Sequence, residues 1–308
     1  WRNEWAGQIA FSHGTNHGRG VSVLIRPGVD VLVNKVHTDN IGRFIMVDTK
    51  IQDTNFKLIN IYAPNTETSQ TNFFQYLKNT LNDKVSASDR ILLAGDFNFI
   101  FNPDVDRRGG VPLQINNSRT RTLNILESIK EKFELTDIYR KQNPGALRFT
   151  WRRNNPLTKS RLDMWWISEK LEDYVENADI IPFSSTDHSG VSLHLKSYMG
   201  RDKGKGLWRL NTSFLNEELY IKGIMDNKEI WFAEFDDIID AQIKWELIKY
   251  KIRQFSMKYG LDKAKKIKTT ESDLEHQLRE LEKQQDQTTN PDLEATISTE
   301  ILEINAKL

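Results

Sequence analysis

The feature that most constrains this chain is a change of hydrophobic period near Gly200. Before it, short β-branched and aromatic runs are punctuated by Gly, Pro and Asn. They are VSVLI (21–25), VDVLV (29–33), RFIMVD (43–48), FKLINIY (56–62), RILLAG (90–95), RFTW (148–151), RLDMWWIS (161–168), IIPFSS (180–185) and GVSLHL (190–195). Runs of this length and composition read as strands. After RDKGKG (201–206), which reads as a linker, apolar residues recur every three or four positions. Ile230, Trp231, Phe235, Ile238 and Ile239 form one such stripe; Ile248, Ile252, Phe255 and Tyr259 form a second, and Leu274, Leu278 and Leu281 a third. That is helical spacing. The expected organisation is a strand-rich domain over 1–199 and a helical region over 200–308.

Two helices interrupt the strand-like part. Phe73, Phe74, Leu77 and Leu81 fall at helical spacing over 69–83. Over 119–133, Leu123, Leu126, Ile129 and Phe133 do the same, with Asn117 or Ser118 expected to cap the helix. Strands covered by a few helices imply an α/β layered domain. A chain of 308 residues, 38% hydrophobic, has apolar mass for a real core, so wholesale disorder is excluded. It has no cysteine, which removes disulfides, thiolate zinc sites and cysteine nucleophiles together. No apolar run approaches the ~20 residues of a membrane span, and no membrane partner is expected. The chain opens on Trp1 with no charged-then-apolar leader, and reads as an excerpt of a longer protein.

Charge is balanced overall, with 43 basic and 43 acidic side chains, but not locally. Residues 106–161 hold thirteen Lys/Arg against five acids. Arg107, Arg108, Arg119, Arg121, Arg152, Arg153 and Arg161 are among them. For any single residue scattered surface charge is an equal reading, but the clustering favours the track of a nucleic-acid backbone. Residues 244–268 carry nine bases against Glu246 and Asp262, while 269–308 carry ten acids against three bases. A basic helix of that kind can lie on a nucleic acid, but the solvated face of an amphipathic helix is the favoured reading.

Four segments concentrate polar residues at strand ends, where α/β scaffolds present their sites. INIYAPN (59–65) ends an apolar strand in Tyr62 and a Pro-containing turn. ILLAGDFNFI (91–100) places Asp96 and Asn98 two apart after Gly95; along an extended chain both face one side. RLDMWWIS sets Asp163 in an apolar strand, with Trp165 and Trp166 behind it as core. STDHSGVSLHL (185–195) puts Asp187 beside His188. Each has a bland reading as a turn residue, a paired strand carboxylate or a chance Asp-His step. Together they offer three Asp, an Asn, a His and a Tyr, without a nucleophile elbow or a GxxxxGK[ST] loop. Hard oxygen ligands suit Mg²⁺ or Mn²⁺. An imidazole beside carboxylates suits charge on a phosphoryl group. The inventory fits metal-assisted phosphodiester hydrolysis.

The order IYAPN, GDFN, LDxxWIS and SxDHS before a strand resembles the endonuclease/exonuclease/phosphatase superfamily. Within it, FSHGTNHGRGVSVLI (11–25), DIYR (137–140) and WRLN (208–211) look like the apurinic-like endonuclease domain of LINE-type (non-LTR) retrotransposon proteins. The likeness is specific over 58–195 and looser after 200. It implies a two-sheet α/β sandwich of the DNase I/apurinic endonuclease kind, followed by a helical carboxy-terminal extension leading to a reverse transcriptase outside this chain. It also implies roles. Asp96 would activate the attacking water or protonate the leaving oxygen, and Asn98 would hold that water and a phosphate oxygen. Asp187 would bind or support the metal. His188 would contact the phosphate with Asp163 on its imidazole, and Tyr62 would touch the scissile phosphate. Thr150 and Arg107 would bind substrate.

One departure matters. The family's principal metal ligand, a Glu, belongs upstream of WRNEWAG, and Glu4 does not match it. The resemblance therefore implies that this excerpt lacks a core amino-terminal strand and that ligand, binds Mg²⁺ poorly and is inactive as it stands. The expectation for the intact protein is a Mg²⁺-dependent endonuclease that nicks DNA in the nucleus and leaves a 3′-hydroxyl to prime reverse transcription. DNA is the expected partner, and element RNA would engage only the absent reverse transcriptase. A phosphatase or phosphodiesterase of the same superfamily, and a degenerate nucleic-acid-binding remnant, stay open beside it.

Overall fold

In the computed structural model the described residues are 5–15, 18–51, 53–114, 116–154, 157–182, 186–196, 208–288 and 290–307. The expected boundary at 199/200, the RDKGKG linker and Glu4 lie outside them. The chain divides into two compact units, Trp1–Ser197 with Leu278–Ala306, and Tyr198–Gln277 with Lys307–Leu308.

The first unit begins with the hairpin β1 (Gln8–Thr15) and β2 (Gly18–Ile25). β3 (Val31–Thr38), β4 (Phe44–Ile51) and β5 (Thr54–Tyr62) follow, and α1 (Glu67–Lys84) leads to β6 (Arg90–Asp96). Next come α2 (Pro103–Asp106), β7 (Arg107–Gly109), α3 (Asn117–Phe133), β8 (Leu135–Asp137), α4 (Ile138–Gln142), β9 (Trp151–Asn154), β10 (Leu157–Ser160) and β11 (Asp163–Ser168). The hairpin β12 (Val175–Ile181) and β13 (Gly190–Leu195) completes the strands. Six strands form one sheet in the order β3-β4-β5-β6-β11-β8. All its pairs are antiparallel except β5 with β6. A parallel pair cannot be closed by a tight turn, and α1 supplies the crossover.

Strand alternation sorts the core into two faces. Phe44 and Met46 of β4, Ile59 and Ile61 of β5, Ile91 and Leu93 of β6, and Met164 and Trp166 of β11 pack against Phe74, Leu77 and Leu81 of α1 and Leu126 and Ile129 of α3. The intervening residues face the other way. Ile45 and Val47 meet Val21 and Val23 of the first hairpin. Leu92, Trp165 and Ile167 meet Ala178, Ile180, Val191 and Leu193 of the last. Helices cover one side of the sheet and two hairpins the other, which is a layered α/β sandwich. A small sheet, β7-β10-β9, stands apart.

Some elements differ from expectation. α3 is capped by Asn116, whose side chain accepts from the Arg119 N–H at 2.9 Å, rather than by Asn117 or Ser118. Of RFTW just Trp151 is in a strand, because Thr150 turns its hydroxyl to other backbone. Of IIPFSS, Ile180 and Ile181 end β12 before Pro182, which cannot donate to a ladder, and 183–185 lie outside the described residues.

A buried charge cluster ties the loops together. Asp106 is 1% exposed and accepts from Arg161 Nε at 2.7 Å and Arg140 Nη2 at 2.6 Å. Arg161 also holds Asp137 at 2.7 Å. Burial alone would push the Asp106 carboxyl up, but the two guanidinium groups hold it below its ordinary value.

In the second unit, the helix α5 (Glu218–Glu234) and the first part of α6 (Ala241–Gln287) close on an aromatic cluster. Tyr220 is buried, donates or accepts with Ser256 at 2.6 Å and meets Phe214, Phe255 and Tyr259. The stripe expected over 230–239 is broken. α5 stops at Glu234, and Ile230 and Ile239 are exposed while Trp231 is buried. The last turns of α6 and α7 (Pro291–Asn305) belong to the first unit. Among the described residues no helix is long and apolar enough to cross a membrane.

Asp106→Asn leaves Arg161 buried against half its countercharge, so a loss of about 3–5 kcal/mol is expected in urea unfolding. Because the folded carboxyl titrates below the unfolded one, its contribution is present above the unfolded value of about 3.9 and fades as pH falls through the folded value. The pH-dependence below about 4 should be shallower in the variant.

Candidate active site

β5 and β6 run parallel, so their carboxyl ends arrive together and Tyr62 stands beside Asp96. β11 runs back along β6, so its first residue, Asp163, stands on the other side of Asp96. His188 joins through an isolated bridge to Trp151, at the start of β9. Three of the four segments thus reach one sheet edge by ladder register alone.

Gly95 makes the approach possible. Its φ is +132°, and a Cβ there would lie 2.0 Å from the Ile61 carbonyl oxygen. The chain then turns. Asn98 has φ 47°, a left-handed conformation that Asn tolerates better than most residues. Its backbone N–H donates to Asp96 Oδ1 at 2.8 Å, and its Nδ2 donates to Asp96 Oδ2 at 3.1 Å and the Ala63 carbonyl at 2.8 Å. Asp96 and Asn98 are therefore together because of a local turn, not because an extended strand puts both on one side. Gln70 of α1 fixes the turn from behind, donating to the Asn98 carbonyl at 2.6 Å.

His188 Nδ1 lies 2.8 Å from Asp163 Oδ2. That hydrogen bond raises the imidazole above its ordinary value against the opposing effect of burial. Asp96 is pushed up to about 7, first by burial and then by the negative charge of Asp163; the Asn98 N–H, His188 and Arg43 pull the other way. Ligand atoms of Asp96, Asp163 and His188 all lie within 4.8 Å of one another. Two half-buried carboxylates that strain against each other's charge form a donor set a hard divalent cation fits.

Tyr62 is partly exposed at the rim, with the Arg43 guanidinium 4.9 Å over its ring and donating to its carbonyl at 2.9 Å. Asp187 stands beside the cluster rather than in it. Its Oδ2 accepts from Trp151 Nε1 at 2.9 Å, and the carboxylates placed for a cation are Asp96 and Asp163. Thr150 does not present its side chain to a substrate. It is wholly buried, and its Oγ1 accepts from the Leu162 and Asp163 N–H groups at 2.9 and 3.0 Å, which positions Asp163. Arg107 is separated from His188 by Ser160 and Trp151 across the small sheet, and donates to the Val111 carbonyl. Sequence reasoning missed Arg43, Gln70 and Trp151. Nothing in their local spacing marks them, since each acts on a residue distant in sequence.

The expected basic track is largely spoken for. Arg161 is buried in its ion pairs, Arg152 holds Asp286 at 3.0 Å, Arg108 donates to the Asp286 carbonyl at 2.7 Å, and Arg119 lies 4.6 Å over the Phe99 ring. Of the residues named, Arg121 and Arg153 remain exposed.

Residues 2–188 match the Endonuclease/Exonuclease/phosphatase family. The chain belongs to this family. It is also similar to the transposon TX1 uncharacterized 149 kDa protein of Xenopus laevis, 27% identical over 263 residues. That match takes in 84% of this chain and 19% of the transposon protein, so the chain spans about a fifth of its relative's length. Among solved structures, the catalytic domain of Xenopus laevis APE2 superposes with a TM-score of 0.50 at 15% identity, covering 61% of this chain and 75% of that one. That likeness shows the fold, the sandwich expected from the sequence. The endonuclease domain of TRAS1, a telomere-specific non-LTR retrotransposon, gives a TM-score of 0.45 at 12% identity, over 62% and 81%.

Gly95→Ala should destabilise the family fold at the site itself. The positive φ alone costs about 1–3 kcal/mol, and contact with the Ile61 carbonyl adds to it. A fall in the urea midpoint at unchanged slope would register this, and an unaltered midpoint would contradict the tight approach.

Proposed function

We propose that the chain is the endonuclease portion of a LINE-type retrotransposon protein and hydrolyses a phosphodiester bond in DNA. The observation that carries this reading is the convergence of Asp96, Asn98, Asp163 and His188 at one sheet edge in a chain of this family. The similarity to a transposon protein supports the retrotransposon assignment.

The bond broken is that between phosphorus and the O3′ atom. Water adds its oxygen to phosphorus, and a proton passes to the departing O3′, leaving the 3′-hydroxyl a reverse transcriptase extends. A divalent cation, Mg²⁺ or Mn²⁺, held by the Asp96 and Asp163 carboxylates would neutralise charge gathering on the phosphoryl oxygens. Asp96 would orient the attacking water or pass the proton to O3′, its carboxylate held in place by the Asn98 backbone N–H and Nδ2. Asn98 spends both its donors on Ala63 and Asp96, so its Oδ1 accepts from the attacking water. As an imidazolium, His188 would donate from Nδ1 to Asp163 and from Nε2 to a phosphate oxygen. Tyr62 offers its hydroxyl at the rim, and Asp187 steadies the His188 loop. Target DNA places the reaction in the nucleus.

The test is nicking of supercoiled plasmid with Mg²⁺, by this chain and by one extended upstream to include the segment expected to carry the family's Glu. Metal-dependent nicking should appear in the extended chain and should fall there by ~10²–10³ in Asp96→Ala and in His188→Ala, the scale for one well-placed charge-stabilising group. Hydrolysis of a small phosphoester without nicking would move the reading to a phosphatase of the family. Binding to DNA that drops steeply between about 50 and 200 mM salt, with no cleavage, would move it to a remnant.

A further inference from the structure

The acidic carboxy-terminal segment of the first unit packs its acids onto the strands beside His188. Glu282 and Asp286 are four residues apart, so both face one side of α6. They are 6% and 0% exposed. Asp286 takes a fork from Arg152: Nη2 donates to Oδ1 at 3.0 Å and to Oδ2 at 3.1 Å, and Nε donates to Oδ1 at 3.3 Å. Arg148 lies between the two acids, 3.5 Å from Glu282 Oε2 and 3.5 Å from Asp286 Oδ2.

Arg148 and Arg152 flank Thr150, and Thr150 touches Asp163 and Ser189, the residue after His188. Its hydroxyl accepts from the Asp163 N–H, and its carbonyl accepts from the Ser189 N–H at 2.7 Å. Arg152 adds two more ties to the same loop. Its backbone N–H donates to the Asp187 carbonyl at 3.2 Å, and its Nη1 donates to Ser189 Oγ at 2.8 Å. Ser189 Oγ in turn donates to Glu282 Oε1 at 3.3 Å. Residues 148–152 are thus a bracket joining Asp163 to His188, and the two acids are what the bracket is bolted to.

We infer that Glu282 and Asp286 are positioning residues of the active site, acting through Arg148, Arg152 and Ser189 to set His188 against Asp163. The opposite arrangement, a displaceable acidic lid over a nucleic-acid track, fits less well. Every charge here is desolvated and paired, Asp286 in a fork from Arg152, and a phosphate could replace the acids only after the segment had left whole. The inference rests on the proposed reading only where activity is measured.

The test uses the full chain with Asp286→Asn, Glu282→Gln and Ser189→Ala, the last removing one hydroxyl and leaving the ion pairs intact. Glu294→Gln is the control. It breaks the 2.6 Å Lys159–Glu294 pair of the same segment; Glu294 pairs with Lys159 rather than with Arg148, Arg152 or Ser189, and Lys159 keeps its bond to the Gln285 carbonyl. The first readout needs no catalysis: the ¹⁵N-histidine spectrum, in which the His188 Nδ1–H bonded to Asp163 gives a protected proton signal. Expected is loss or faster exchange of that signal in Asp286→Asn, Glu282→Gln and Ser189→Ala, and its retention in Glu294→Gln. Where nicking is measurable, kcat should fall by about 10²-fold at unchanged KM, as for a displaced catalytic group. An unchanged His188 signal in Ser189→Ala and Asp286→Asn would overturn the inference whether or not the chain nicks DNA. Faster nicking in Asp286→Asn would overturn it in favour of a lid.

Discussion

The parallel pairing of β5 with β6 is the constraint from which the site follows. Parallel neighbours end at the same edge, so Tyr62 and Asp96 meet there without any loop having to carry them. The antiparallel return of β11 brings Asp163 to the same edge from the other direction. A slip of one residue in either ladder would turn its side chain to the opposite face. The slip is opposed by the core, because the same shift would move Ile59, Leu93 and Trp166 away from the helices. Packing energy therefore enforces the geometry of the candidate site.

Polar groups in the unit are arranged by the same economy. Arg161 between Asp106 and Asp137, and Arg152 on Asp286, are buried charges that make sense only in pairs. Asp96 is the exception, a carboxylate buried beside a like charge with a weak set of compensating donors. Charge placed against its own preference marks this end of the sheet as a candidate functional site.

Much of this was legible in the sequence and some was not. Strand runs with alternating faces, the helices over 69–83 and 119–133, and the four polar strand ends stand close to where periodicity puts them. The Asp96–Asn98 juxtaposition was legible for a partly wrong reason, since the left-handed Asn98 is a turn feature that residue spacing cannot reveal. Thr150 looked like a substrate contact because resemblance carries residue types, not the direction a hydroxyl points. Arg152 and Arg161 looked like part of a nucleic-acid track because their acidic partners, 134 positions away for Arg152 and 55 and 24 for Arg161, are not neighbours in sequence. β7, β8 and β10 are too short to carry a period.

Arg152 and Asp286 are separated by 134 positions. On a chain emerging from the ribosome, the sandwich over the first two hundred residues can begin to close long before that acid has been synthesised. Contacts between such distant positions form late. The nascent protein would pass through an interval in which Arg148 and Arg152 are made but unanswered, and the fork that steadies the His188 loop would be among the last pieces added.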